Sequence, residues 1–367
     1  MSLVPQPPEP VKPKPSPGFW MTTWKRFRRR PMAMLGLSYV LLMAFTAIFA
    51  PAIVGTKPIV CKYKGNYYFP CLGYFNSSWE NVIFRKDRFR GVYPANLKKK
   101  DPESWAVFPL VYQDPFRRIR ENEWPGQPEN EVGSKGKPNK YNLMGTTDSG
   151  IDVFAVMIHG TKIALLVGFV TTGIAAVIGI TLGAIAGYFG GWTDIVISRF
   201  TEVVISIPTL VIIISLLSFV KNPSIWLTMA VLGLTSWTTI CRLTRAEFLK
   251  LKAMDYVTAA RSLGAGQARI MFKHILPNAM APILVPISFG IASAILLEAA
   301  LSILGIGSPP DTPSWGNLLN QGKGSFESRW WLVFFPGFAI FLTVLAYNLI
   351  GEGLQEATDP RLRESAK

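Results

Sequence analysis

Cys61, Cys71, Cys241, His159 and His274 are the only thiol and imidazole side chains in this 367-residue chain. A structural zinc site needs four such ligands at short, regular spacings, and these five residues are scattered, so no metal is expected. The stretch "GNLLNQGKG" comes near a phosphate-binding loop, but it has one residue too many between its glycines and ends in Gly rather than Ser or Thr. No H-E-x-x-H metalloprotease motif and no nucleophile elbow occurs. Neither a cofactor nor a catalytic residue is expected. What remains is two carboxylates inside apolar stretches, Glu202 and Glu298. A carboxylate at membrane depth normally faces a bundle interior or a watery path, so both are candidates for lining a transport pathway.

The other unusual stretch is "DYVTAARSLGAGQARIMFKHILPN", Asp255 to Asn278, a polar excursion between long apolar runs. Tyr256, Ala259, Ala260 and Leu263 fall at i, i+3, i+4 and i+7, one face of a helix. Two of these are alanines, so another surface can come close. Gly264 suits the left-handed residue that ends a helix. "AGQARIMFKH" resumes helical character, and Pro277 sits where it would stop that helix or begin the next. The spacing predicts a short helix, a glycine turn and a second helix. The basic residues here also have a plainer reading, as markers of topology.

The chain around this excursion is that of a membrane protein. It is 49% hydrophobic and 17% charged, against about 25% charged in ordinary soluble domains. Apolar runs cover Met32–Val54, Ile163–Phe189, Ile197–Phe219, Ile225–Cys241, Pro282–Leu304 and Trp331–Ile350, near the length a helix needs to cross a bilayer. The first run is too long for the apolar part of a signal peptide and is expected to be retained. The net charge of +15 gathers beside these runs and not on a soluble basic face, which argues for membrane lipid and against nucleic acid. Arg242 to Lys273 holds seven basic residues against Glu247 and Asp255. With a basic N-terminus and Arg361, Arg363 and Lys367 in the tail, six spans put all three segments in the cytoplasm.

This gives a cytoplasmic, disordered and basic N-terminus over 1–31, a first span over 32–54 and an extracytoplasmic insert over 55–158. A membrane core follows over 159–353, with its cytoplasmic loop at 243–280, and a cytoplasmic tail covers 354–367. The insert is too long for a bare loop. "KPIVCKYKGNYYFPCLGYF" reads as a short β-hairpin around Gly65-Asn66, with basic clusters "FRKDRFRG", "NLKKKD" and "FRRIREN" nearby. In an oxidising compartment Cys61 and Cys71 are expected to pair. Within the core, Gly179, Gly183 and Gly187 form a small-residue stripe for close helix packing. Pro208 and Pro286 should bend their helices.

At the excursion the sequence resembles the inner-membrane permease subunits of bacterial ATP-binding-cassette importers, in the dipeptide, oligopeptide and nickel group, C-type subunit. That family carries a cytoplasmic E-A-A-x3-G-x9-I-x-L-P loop. "TAARSLGAGQARIMFKHILP" matches it at Ala259, Ala260, Gly264, Leu276 and Pro277, with Thr258 for the Glu and His274 for the Ile. Tyr256, Val257, Arg261, His274 and Asn278 match the peptide group's version of the loop. "LMGTTDSGIDVFAVMIHGTKIALLVG" is similar to the group's approach to its second span, with Ile151 where Arg is usual. "GYFGGWTD", "EAALSILGIG", "PSWGNLL" and the segment from Trp330 to Arg363 agree as well. The likeness covers about 25–54 and 143–363, and some relatives carry a "YxGxxYFP" insert.

The resemblance implies an all-α polytopic fold of six transmembrane helices in type I importer architecture, with a small extracytoplasmic insert. It implies a multi-pass inner-membrane subunit without catalysis of its own, one half of a permease heterodimer. Its other partners would be cytoplasmic ATPase subunits and a periplasmic or lipoprotein binding protein. The excursion would be the ATPase-coupling segment, with Asp255, Tyr256, Ala259, Ala260, Arg261, Gly264, Arg269, His274 and Pro277 at the contact. Peptides would be the cargo, oligopeptides favoured over dipeptides or nickel by the insert. Two other classes stand beside this reading. A gradient-driven transporter would show repeats and several ionisable residues at depth, where only Glu298 is evident. A membrane enzyme would have to use His159 or His274 without a motif.

Overall fold

The computed structural model describes residues 19–74, 101–121, 123–124, 126–220 and 223–358. A short helix α1 (Phe19–Phe27) precedes α2 (Pro31–Ile53). Three short strands follow, β1 (Val60–Tyr63), β2 (Asn66–Tyr68) and β3 (Trp105–Val107). Then come α3 (Val153–Phe189), α4 (Gly191–Ser206), α5 (Thr209–Ser218), α6 (Ile225–Ser236), α7 (Thr238–Lys252) and α8 (Asp255–Ser262). The rod α9 (Gln267–Ile303), α10 (Trp315–Gly322) and α11 (Trp331–Thr358) complete the order.

α2, α3, α9 and α11 are each long and apolar enough to cross a membrane. The fifth apolar segment is split. Pro208 ends α4, and α5 leaves at an angle of 79°, as a residue without an amide hydrogen between two helices permits. The sixth, α6, is only 12 residues long, but Trp237 keeps helical dihedrals and hands it on to α7. The six apolar segments are thus all helical, four of them as single spanning helices.

Side chains at the helix starts explain several boundaries. Asp152 accepts from the Ala155 amide at 2.8 Å to begin α3, ten residues before the apolar run. Ser224 caps α6 and Ser314 caps α10 in the same way. The glycine stripe does what its spacing predicts. A β-carbon on Gly179 would lie 2.7 Å from the Trp237 carbonyl oxygen, and one on Gly187 would lie 2.7 Å from that of Arg245. Gly183 abuts the Cys241 carbonyl in the same row. α3 and α7 therefore meet backbone to backbone, and Phe248, Ile240 and Cys241 are buried beside them. At the ends of this contact Arg245 binds the Asp194 carboxylate through Nε and Nη2, and Lys252 donates to the Tyr188 carbonyl.

Among its described residues the insert contains a small three-stranded antiparallel sheet in the order β2-β1-β3. The hairpin turn is Lys64-Gly65, with φ of 48° and 76°, one residue earlier than the sequence suggests. Two left-handed residues in a two-residue loop match the twist of the strands. β3 was not foreseen. The expected disulfide is a correction: Cys61 and Cys71 are both buried free thiols. The Cys71 thiol donates to the Ile59 carbonyl at 3.4 Å, and burial pushes the Cys61 thiol up to about 11, so both stay protonated and unreactive.

From strand to helix the insert is held by a buried amide network. Gln113 and Asn130 exchange hydrogen bonds at 3.2 and 2.9 Å. Asn142 donates to Asn130 at 3.1 Å and to Asp152 at 2.8 Å. Burial raises the Asp152 carboxyl to about 6. Arg117 makes a two-pronged pair with Glu123, both bonds at 2.7 Å. His159 meets the Val54 carbonyl at 2.9 Å, and the indoles of Trp315 and Trp331 donate to Met157 and Thr146 carbonyls. The imidazole weighed for chemistry is a strut.

The N-terminal segment expected to be disordered contains α1, seated through Phe27 on Ala33 and Ala357. The Pro-rich lead before residue 19, the clusters "FRKDRFRG" and "NLKKK", and Arg361, Arg363 and Lys367 lie outside the described residues.

Candidate coupling segment and translocation wall

α7 runs on past the stripe contact and turns at Ala253-Met254 into α8. α8 is eight residues long and buries a single side chain, Val257, at 0% exposure. Val257 sits with Phe248, Ile270, Met271 and Ile275 in the core cluster beneath it. Asp255 lies in the first turn, where a negative charge complements the helix dipole. Gly264 has φ of 80° and its surroundings are open, so a left-handed conformation is what the position demands. Ala265 then donates to the Ala260 carbonyl and closes the cap.

The second helix of the hairpin is not a separate element. It is the first part of α9, which passes through a π-helical turn over Ile270–Ile275 and continues into the apolar run. Pro277 has no amide hydrogen, and it stands just past this widened turn at the start of regular α-helix. It begins the span without interrupting the rod. Ile270, Met271 and Ile275 bury inward, while Asn278 donates to the His274 carbonyl at 2.7 Å.

Asp255, Tyr256, Ala259, Arg261, Gly264, Arg269 and Pro277 are exposed, and Ala260 and His274 are half-buried. Leu263 is 88% exposed and Phe272 67%. The side chain that holds the hairpin, Val257, was missed as an anchor, although its place opposite the Ala face was readable at helical spacing.

The two carboxylates differ. Glu202 is exposed on α4 and pairs with Arg199 at 2.7 Å, one turn away. Glu298 is 5% exposed near the end of α9. Ser302 donates to it at 2.8 Å, the Ser308 hydroxyl donates to the same oxygen, and the Ser308 amide donates to Ser302 at 3.0 Å. Glu298 therefore braces the loop that leaves α9, and it does not border the hydroxyl-lined cavity of the helical core.

That cavity, about 400 Å³, lies between α3, α5, α6, α7 and α9. Hydroxyl groups crowd its wall, among them Thr171, Thr172, Thr209, Ser236, Thr239 and Ser293. The pairs "TT" and "TSWTT" were visible as polar interruptions of apolar runs, but they carry no charge and so drew no attention.

The comparisons with known proteins fall on these same elements. The family model described as "Binding-protein-dependent transport system inner membrane component" matches residues 179–364, from the glycine stripe through the hairpin to the last helix. A second, "N-terminal TM domain of oligopeptide transport permease C", matches 18–66, which takes in α1, α2 and the start of the sheet. The chain is 32% identical to the "Peptidoglycan transport system permease protein YejE" of Agrobacterium fabrum, over 96% of both chains. It is also 32% identical to the "Inner membrane ABC transporter permease protein YejE" of Escherichia coli, over 92% of this chain and 96% of that one. With the "Dipeptide transport system permease protein DppC" of Haemophilus influenzae it shares 40% identity, over 62% of this chain and 76% of the other. The first two likenesses run through the insert, whereas the third is shorter by about that much. Apolar spanning helices, a cytoplasmic-type hairpin motif and a match from end to end agree: the chain belongs to the binding-protein-dependent transport system inner membrane components, the multi-pass permeases of peptide ABC importers.

Proposed function

We propose that this subunit forms half of the pathway of an ATP-driven importer and takes up peptides, oligopeptides in preference to dipeptides or nickel. Its partners are a second, different permease, a pair of cytoplasmic ATPases and a periplasmic or lipoprotein binding protein. Both termini and the hairpin lie in the cytoplasm, as the basic residues near the spans require. The observation that carries the reading is the hairpin, whose first helix α8 has one buried anchor, Val257, beneath an outward face of Tyr256, Ala259 and Leu263. Small residues let an ATPase groove approach the backbone, and Arg261 and Arg269 supply polar contacts at its rim. Nucleotide works here by favouring one of two states of the assembly. The relatives named for peptidoglycan and dipeptide transport support a cargo built from amide-linked units. A gradient-driven transporter is left without support, since Glu298 is tied to serines.

The test is uptake by vesicles holding the complete importer. Uptake of labelled peptide should need ATP, the binding protein and the intact hairpin. Ala260→Asp puts a charge at a close contact and should abolish uptake and co-purification of the ATPases, while the permease stays inserted in normal amount. Undiminished ATP-driven uptake by that variant would overturn the coupling role.

A further inference from the structure

We propose that α1 rests in the membrane surface at the N-terminal end of α2 and binds anionic phospholipid there, with Lys25, Arg28 and Arg29 on the headgroup phosphates and Met21 and Trp24 at the acyl border. The inference concerns the lipid around this subunit. It is independent of the cargo and of the ATPase contact.

The stretch from Lys25 to Arg30 is cationic at every position but Phe27. It stands where two spanning helices end. α2 begins at Pro31, and Phe27 packs with Ala33 of α2 and Ala357 near the end of α11. Phe27 and Thr23 are the buried side of α1. The side turned away is mixed. Met21 is 57% exposed and Trp24 52%, and the exposed cations Lys25 and Arg28 follow them by four residues each. The Arg28 amide donates to the Trp24 carbonyl at 2.9 Å, so the helical turn carries through to Arg28. Four residues are about one turn, so each exposed apolar side chain has a cation beside it on the same face. Of the two acids in the last turns of α11, Glu356 pairs with Arg30 at 2.9 Å and Glu352 is exposed. Lys25, Arg26, Arg28 and Arg29 form no ion pair among the described residues.

The chemistry selects the partner. An exposed indole among basic groups at the end of a span suits the headgroup layer, where the ring meets apolar chains and the cations stay with phosphates. Met32 and Leu35 in the first turns of α2 are exposed as well, at 64% and 61%, so apolar surface begins directly beyond the cations. Charge then chooses among lipids. Cations that no acid of the protein neutralises attract a headgroup of net negative charge and gain little from a zwitterionic one. Basic residues that only marked topology would need no fixed face. Here the buried Phe27 fixes which side chains turn outward.

The experiment uses the assembled importer in nanodiscs of phosphatidylethanolamine. Phosphatidylglycerol brominated on its acyl chains is added in steps, and brominated phosphatidylethanolamine in a parallel series. The Trp24 signal is the tryptophan emission that Trp24→Phe removes. The brominated phosphatidylglycerol should quench it at a mole fraction about tenfold lower than the brominated phosphatidylethanolamine. The double variant Lys25→Gln, Arg28→Gln should remove most of that difference. Arg26→Gln, two residues from Trp24 and so nearly across the helix from it, should change it by less than about twofold. Salt gives a second measurement that needs no change to the cations: raising it from about 0.05 to about 0.5 M should shrink the preference. Equal quenching by the two lipids, a preference that salt leaves untouched, or a loss in Arg26→Gln as large as in the double variant would each overturn the proposal. Absence of Trp24 quenching by either lipid would overturn it too, and would assign the patch to a soluble subunit.

Discussion

The two ends of α3 and α7 are built on opposite principles. The insert side is bonded to itself: Gln113, Asn130, Asn142 and Asp152 form one buried chain of hydrogen bonds, and Trp315 and Trp331 spend their indole hydrogens on nearby carbonyls. On the hairpin side α8 has one buried anchor, there is open space around Gly264, and Leu263 and Phe272 are exposed. A region that satisfies its own polar groups is finished before any partner arrives. A short helix held by one buried side chain has low local stability of its own.

Changes at each end should therefore differ in kind. The largest effect is expected where the two ends are joined. Gly183→Leu drives a side chain into the Cys241 carbonyl and Thr244, and should cost more than about 4 kcal/mol and leave little folded protein in detergent. Next comes Asn130→Leu, which strands Gln113 and Asn142 together. It should lower stability by about 3 kcal/mol, seen as an earlier thermal transition, and should impair transport only through reduced amounts of protein. Val257→Ala should cost roughly 2 kcal/mol, because its cavity lies under a helix that can settle. Hydrogen exchange should quicken over 255–266 and stay unchanged in the insert. Equal quickening in both regions would show that they are not independent.

The smallest effect concerns Asp152. Its carboxyl titrates near 6 in the folded protein against an ordinary value of 3.8. The folded state therefore holds its proton more tightly than the unfolded one, and stability falls as pH rises between those values. From pH 5 to pH 6 the loss should be about 1 kcal/mol. Asp152→Asn, which keeps an acceptor for the Ala155 amide, should flatten that slope. A wild-type melting curve with no such slope would place the carboxyl in a wetter setting than its burial indicates.

The hairpin was legible because helical spacing and a glycine at the right place are local properties. So was the glycine stripe, whose partner α7 lies in the next apolar run but one. The amide network was not legible. Gln113, Asn130 and Asn142 are ordinary loop residues in sequence, and only the fold brings them onto Asp152. The surroundings of Glu298 were not legible for a related reason: Ser308, ten residues on, folds back to bond it. The cavity hydroxyls fell between the two signals, too polar for core and too neutral to stand out.

One feature of α9 reaches across the whole subunit. Its 37 residues run unbroken from the hairpin to Ile303, about 55 Å at 1.5 Å per residue. It starts beside the exposed leucine, passes the hydroxyl wall at mid-length and stops at the serines gripping Glu298. A tilt at the hairpin end of one long helix sweeps its other end sideways, so the hairpin and the loop around Glu298 are joined by a single element.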